Sequence, residues 1–260
     1  MSWNSTMGLI STIALFLPIA FILSLRLVRY RTFPILLAYF GISFINNFLG
    51  EGYIHTSNNV IKYWGLTNNL LDPPVMLFFL TYFCTSAAQA KGMRILTLAF
   101  ILFEIIVVSL LGYSKDAITV TLGPGLAIVF GFCLYFFIRQ TKQAIMHRKA
   151  TGKAFMSAAL LFAYGCYFII YLMFYIFETH LSPIKANEQQ YIADTFLVFF
   201  FVVTLSSLLM CTGLYIESKR VQKLAELKIT RKELSMIYEG TEKAAPLRAA
   251  ILDFDRDQYN

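Results

Sequence analysis

The chain has 260 residues, 58% hydrophobic and 14% charged, with a net charge of +7 and a mean hydropathy of +0.63. A soluble domain carries about 25% charged residues, so these values exclude a water-soluble globule and make lipid part of the solvent. The four cysteines, Cys84, Cys133, Cys166 and Cys211, all fall in apolar runs and give neither a disulfide framework nor a CxxC metal pattern.

A helix crosses the hydrocarbon with about 20 mostly apolar residues, and seven segments of the sequence meet that need. The first is 8–25. No Lys or Arg precedes it, and Arg26, Arg29 and Arg31 follow it. That order is the reverse of a cleavable signal peptide and predicts an anchor whose N-terminus stays outside. The second span is 33–50. The third is 70–88, and Asp72-Pro73-Pro74 near its start either caps the helix, since Asp is a favoured N-cap and Pro is tolerated at the first helical position, or kinks it. The fourth to seventh are 93–112, 117–138, 154–177 and 192–216. Beyond them, 217–239 reads as a basic amphipathic helix. Val221, Leu224, Leu227, Leu234 and Tyr238 approximate its stripe, and it either continues the seventh span or lies on the inner leaflet. From Gly240 to Asn260 the pattern is lost, and Asp253, Asp255 and Asp257 mark a flexible acidic tail.

Cytoplasmic loops collect Lys and Arg. With the N-terminus outside, 19 of the 22 basic residues fall on the inner side, leaving Lys62, Lys115 and Lys185 outside. A wrong helix count would scramble this alternation. The fold expected is therefore an all-α bundle of seven transmembrane helices with a cytoplasmic C-terminus. The positive charge is a topology signal and an attraction to anionic lipid, not a nucleic-acid patch.

Ionisable and polar residues at membrane depth are costly, and each is a functional candidate. Glu104 stands alone near the middle of the fourth span. In the sixth, Tyr164, Tyr167, Tyr171, Tyr175 and Glu178 recur at helical spacing and share one face. Lipid does not favour a row of hydroxyls, so that face should point into the bundle. It serves either for hydrogen bonds between helices or as the wall of an aromatic cavity opening outward at Glu178. Asn46, Asn47, Glu51 and His55, then Asn68, Asn69 and Asp72, lie at the same outer depth. Together they form either the wet rim of the bundle or a polar mouth for a cationic or hydrogen-bonding ligand. The spacing of His55, His180, Glu51, Glu178 and Asp72 matches no metal motif. Pro18, Pro34 and Pro124 fall within spans, where packing or hinging accounts for them.

No HExxH, GxSxG or phosphate-binding glycine loop is present. His55, His147 and His180 lie outside the spans, which argues against haem held between helices, and 192–216 has no lysine for a Schiff base. Helix count and orientation resemble those of G-protein-coupled receptors and of SWEET sugar carriers, with no diagnostic motif of either. The reading expected is a receptor-like or sensory membrane protein. It would bind a small ligand through Asn69, Asp72, Glu104 and the tyrosine stripe, without a cofactor, and signal to a protein partner through 217–239. The alternatives are a small-solute or ion carrier using Glu104 and an accessory subunit of a membrane complex. Short loops without outer cysteines point to a bacterial cytoplasmic (inner) membrane.

Overall fold

The computed structural model describes residues 3–30, 32–54, 56–147, 150–173 and 188–238. Every regular element among them is helical: α1 Trp3–Ser24, α2 Phe33–Gly50, α3 Asn58–Leu80, α4 Ala87–Leu111, α5 Lys115–His147, α6 Thr151–Tyr171 and α7 Glu188–Tyr238. Short 3-10 turns, Leu27–Arg29 and Thr81–Phe83, follow α1 and α3. Six of the seven helices are long and apolar enough to cross a membrane; the exception is α3, which is long enough but more polar. The chain is an integral membrane protein in contact with the bilayer. The tail 240–260 and the sixth-span residues 174–177 lie outside the described residues.

Local sequence starts and stops these helices. The Ser86 hydroxyl caps α4 by accepting from the Gln89 N–H at 3.2 Å. Gly112 ends α4 with φ +70°, a conformation a side chain would resist. Pro34 occupies the first turn of α2, where its missing N–H costs nothing. Within the apolar helices, Ser and Thr hydroxyls are satisfied by carbonyls one turn back, as Thr97 is by Met93 and Thr121 by Ala117.

Two elements differ from the sequence reading. The third helix runs from Asn58 to Leu80, not from 70 to 88, and Asp72-Pro73-Pro74 lies inside it. A proline inside a helix needs its freed carbonyls and its bulk accommodated by neighbours. Here Gly125 of α5 makes room: a Cβ there would lie 2.7 Å from Pro73 Cγ. The fifth helix runs on to His147. The apolar run marks the part in hydrocarbon, whereas the helix itself persists through Arg139–His147, which contain neither Gly nor Pro.

Consecutive helices are antiparallel. Asn47, late in α2, bonds to Ser11 and Thr12, early in α1. Phe33, at the start of α2, packs its ring on Tyr82 just after α3, with centroids 5.1 Å apart. We call the end holding the start of α1 the head and the opposite end the base. Helices α1, α2, α3, α5, α6 and α7 close a ring in that order, with α7 returning to α1, and α4 packs outside it against α3 and α5. The buried stripe of α4 is Met93, Thr97, Phe100, Glu104 and Val107, while Leu98, Leu102 and Leu110 on its other faces are largely exposed. Near the base the ring is solid: Phe33, Phe79, Phe83, Phe136, Met156 and Leu214 are almost wholly buried. Towards the head it is hollow.

Candidate functional site

The hollow is a cavity of about 880 Å³ lined by all six ring helices and by no residue of α4. Its floor is apolar, with Ala159, Leu160 and Met210, and one side carries Leu122, Leu126, Phe199, Phe200 and Val203. The opposite side is polar. Tyr39, Ser43, Asn46, Asn47 and Glu51 come from α2 and its end, and Asn68, Asn69 and Asp72 come from α3. None of the described lining residues is Lys, Arg or His.

Of the residues predicted from sequence, Asn69, Asp72, Tyr167 and Tyr171 line this cavity. Tyr164 stands behind the wall, fully buried, and donates its hydroxyl to Oδ1 of Asp72. The Tyr167 ring packs on Phe199 of α7, with centroids 5.6 Å apart. The Tyr171 hydroxyl donates to the Thr119 carbonyl at 2.7 Å. It lies where a Cβ on Gly123 would stand, so that glycine is what admits it. Tyr175 and Glu178 lie outside the described residues. Glu104 is not at this site. It sits on α4, buried, with Oε1 lacking a hydrogen-bond partner.

The sequence reading singled out no residue of Tyr39, Ser43, Ser206 and Ser207. The signal was present on α2, where Tyr39, Ser43, Asn46, Asn47 and Gly50 follow helical spacing along one face. Asn47 ties this wall to α1 by donating to Ser11 Oγ at 3.0 Å and Thr12 Oγ1 at 2.9 Å. Both hydroxyls in turn donate to the Gly8 carbonyl at 2.8 Å. The Glu51 carboxylate rests over Gly8, in the space a Cβ would fill. Partial burial there pushes the Glu51 carboxyl above its usual range.

Below the cavity, a polar clamp ties the base together. Glu217 of α7 is fully buried, accepts from the Tyr82 hydroxyl and pairs with the Arg220 guanidinium. Lys153 of α6 donates to the Tyr82 carbonyl at 3.3 Å and stands over the Tyr82 ring, 4.5 Å from its centroid. Gly152 permits this approach, because a Cβ there would meet the Glu217 backbone N at 2.7 Å. The clamp joins the turn after α3 to α6 and α7.

Among the described residues no group of three or more His, Cys, Asp or Glu side chains could hold a metal ion. What the site offers is a large, mainly apolar chamber with one polar wall that carries the carboxylates of Glu51 and Asp72, a composition suited to holding a small molecule. Comparison with known families, curated proteins and solved structures finds no match. Only the site itself bears on function.

Proposed function

We propose that this is a receptor-like, sensory protein of seven transmembrane helices, with its N-terminus outside and its C-terminus in the cytoplasm. A small ligand enters the cavity from the head, and α7 carries the bound state to a partner on the cytoplasmic side. The observation that carries this reading is the course of α7. It lines the cavity with Phe199, Phe200, Val203 and Met210, supplies Glu217 and Arg220 to the clamp, and continues unbroken to Tyr238. One rigid element therefore spans ligand space, base and tail. A ligand shifts such an element only by binding one arrangement better than another. A shift of α7 has to break or carry along the discrete charged bonds of the clamp.

The orientation is supported by charge. Arg26, Arg29, Lys91, Arg139, Lys153 and Arg220 all fall at or near the base, the pattern of a cytoplasmic face. The bacterial cytoplasmic membrane remains the compartment proposed. A carrier coupled through Glu104 has less support, because the cavity is bounded without α4.

The test is a distance measurement between spin labels at Met146→Cys and Leu227→Cys, both exposed and beyond the base, with the native cysteines replaced. Ala163→Phe puts a ring into the cavity, and Leu98→Phe on the outer face of α4 is its control. The reading expects Ala163→Phe alone to shift the distance distribution. An unchanged distribution overturns it.

A further inference from the structure

The charge of the cavity is one-sided. Asp72 and Glu51 are in its wall, and none of the described lining residues is basic. The Asp72 carboxylate has the Tyr164 hydroxyl on Oδ1, while the ion pair found among the described residues is Arg220–Glu217, at the far end of the bundle. A carboxylate half-buried in a mainly apolar chamber, with no cation among the described lining residues, is costly to keep ionised. A ligand that brings a positive charge relieves that cost.

Beside Asp72 lies a second, far smaller space. A niche of about 10 Å³ is bounded by Tyr39, Ser43, Asn68 and Asp72, with Ile42, Leu71 and Val75 completing its lining. That volume is about enough for one water molecule. The same four residues also line the main cavity, so one polar wall faces both spaces. A primary ammonium group is close to water in size and carries three donors and no acceptor. The niche offers acceptors of matching number: the Asp72 carboxylate, the Asn68 side-chain carbonyl and the Ser43 hydroxyl. A quaternary ammonium is too wide for it. A bare metal cation would fit but leave the 880 Å³ chamber empty.

We infer that the cavity binds a primary amine, its ammonium head in the niche against Asp72 and its apolar or aromatic body between Leu122, Tyr167 and Phe199. This rests on reading the cavity as a ligand site, and it adds the chemical class. The aromatic rings nearest the head add cation–π attraction. The apolar walls take up the body.

The test is calorimetric titration of the full chain in lipid nanodiscs with three probes of one body. These are phenethylammonium, neutral phenethyl alcohol and N,N,N-trimethylphenethylammonium. Phenethylammonium is expected to bind more tightly than either relative. Asp72→Asn should weaken it by about 30-fold or more, as expected when one partner of a buried charged hydrogen bond is removed. Asn68→Leu and Ser43→Ala, which leave the Asp72–Tyr164 bond in place, should each weaken it, and they carry the test if Asp72→Asn does not fold. No binding of phenethylammonium up to about 1 mM, which corresponds to about −4 kcal/mol, overturns the inference. So does equal binding of the quaternary probe. If the alcohol binds as well as the ammonium and Ala163→Phe abolishes both, the amine class falls while the cavity stands as a ligand site.

Discussion

The Tyr164 hydroxyl donates a hydrogen bond to Oδ1 of Asp72 and so joins α6 to α3 across the cavity wall. Tyr164 is fully buried, so no water replaces the bond when it is removed. Tyr164→Phe should therefore destabilise the protein by about 1 kcal/mol, since polar contacts between membrane helices average about 0.6 kcal/mol and reach about 1.7 kcal/mol. A double-mutant cycle with Asp72→Asn, read by thermal unfolding in detergent, should show coupling between the two. Additive effects would mean the contact contributes nothing of its own.

Gly125 and Gly131, both in α5, should respond to alanine with opposite signs. A Cβ at Gly125 would lie 2.7 Å from Pro73 Cγ and 2.8 Å from Phe100 Cζ, where three helices meet. Overpacking of this kind costs about 1–3 kcal/mol. At Gly131 nothing lies within 4 Å, and alanine should gain about 0.5–1 kcal/mol from its better helix propensity. Melting temperatures of the two variants, measured side by side, check the difference in sign.

Breaking the clamp from the arginine side should harm the protein more than neutralising both partners. Arg220→Met leaves Glu217 charged and fully buried, and breaking a buried pair costs about 3–5 kcal/mol. The lower end is expected, because the Arg220 side chain keeps 37% exposure. Adding Glu217→Gln to Arg220→Met should restore part of the loss. A double variant less stable than Arg220→Met would contradict this account of the clamp.

Glu51 predicts a pH dependence of defined sign. Burial raises its carboxyl above the usual value, so the folded state holds the proton more tightly than the unfolded chain. Its contribution is favourable at low pH and is lost as pH rises from the ordinary carboxylate range through the raised value. Glu51→Gln should therefore raise the melting temperature at neutral pH. The gain should shrink as pH falls towards the usual carboxylate value. A gain that grows on acidification would contradict the sign.

Apolar runs and the placement of Lys and Arg were enough to read α1 and α2 as membrane-length helices. They failed at α3 because its first half, Asn58–Asn69, is polar, and because Asp72-Pro73-Pro74 looks like a helix start. The residue that makes room for Pro73, Gly125, is on another helix and carries no local signal. Spacing alone put Tyr164, Tyr167 and Tyr171 on one face, and these three do face inward, while Tyr175 and Glu178 of the same stripe lie outside the described residues. Glu104 was singled out for being charged within an apolar run, a property shared by any buried carboxylate. Its distance from the cavity follows from α4 packing outside the ring, and helix order around a bundle is not written in hydropathy. Glu217 went unnoticed among its basic neighbours because its burial and its bond to Tyr82, far away in sequence, are not written in the local pattern.

Everything proposed for function turns on the cavity and the end of α7 facing opposite sides of one membrane. The most direct measurement is labelling with a membrane-impermeant maleimide in intact cells. Tyr53→Cys at the head and Leu227→Cys beyond the base, both exposed positions, are each placed in a background with Cys84, Cys133, Cys166 and Cys211 replaced by alanine. Tyr53→Cys should label in intact cells, and Leu227→Cys only after permeabilisation. Labelling of Leu227→Cys from outside would place the tail on the ligand's side and contradict signalling through α7 to the cytoplasm.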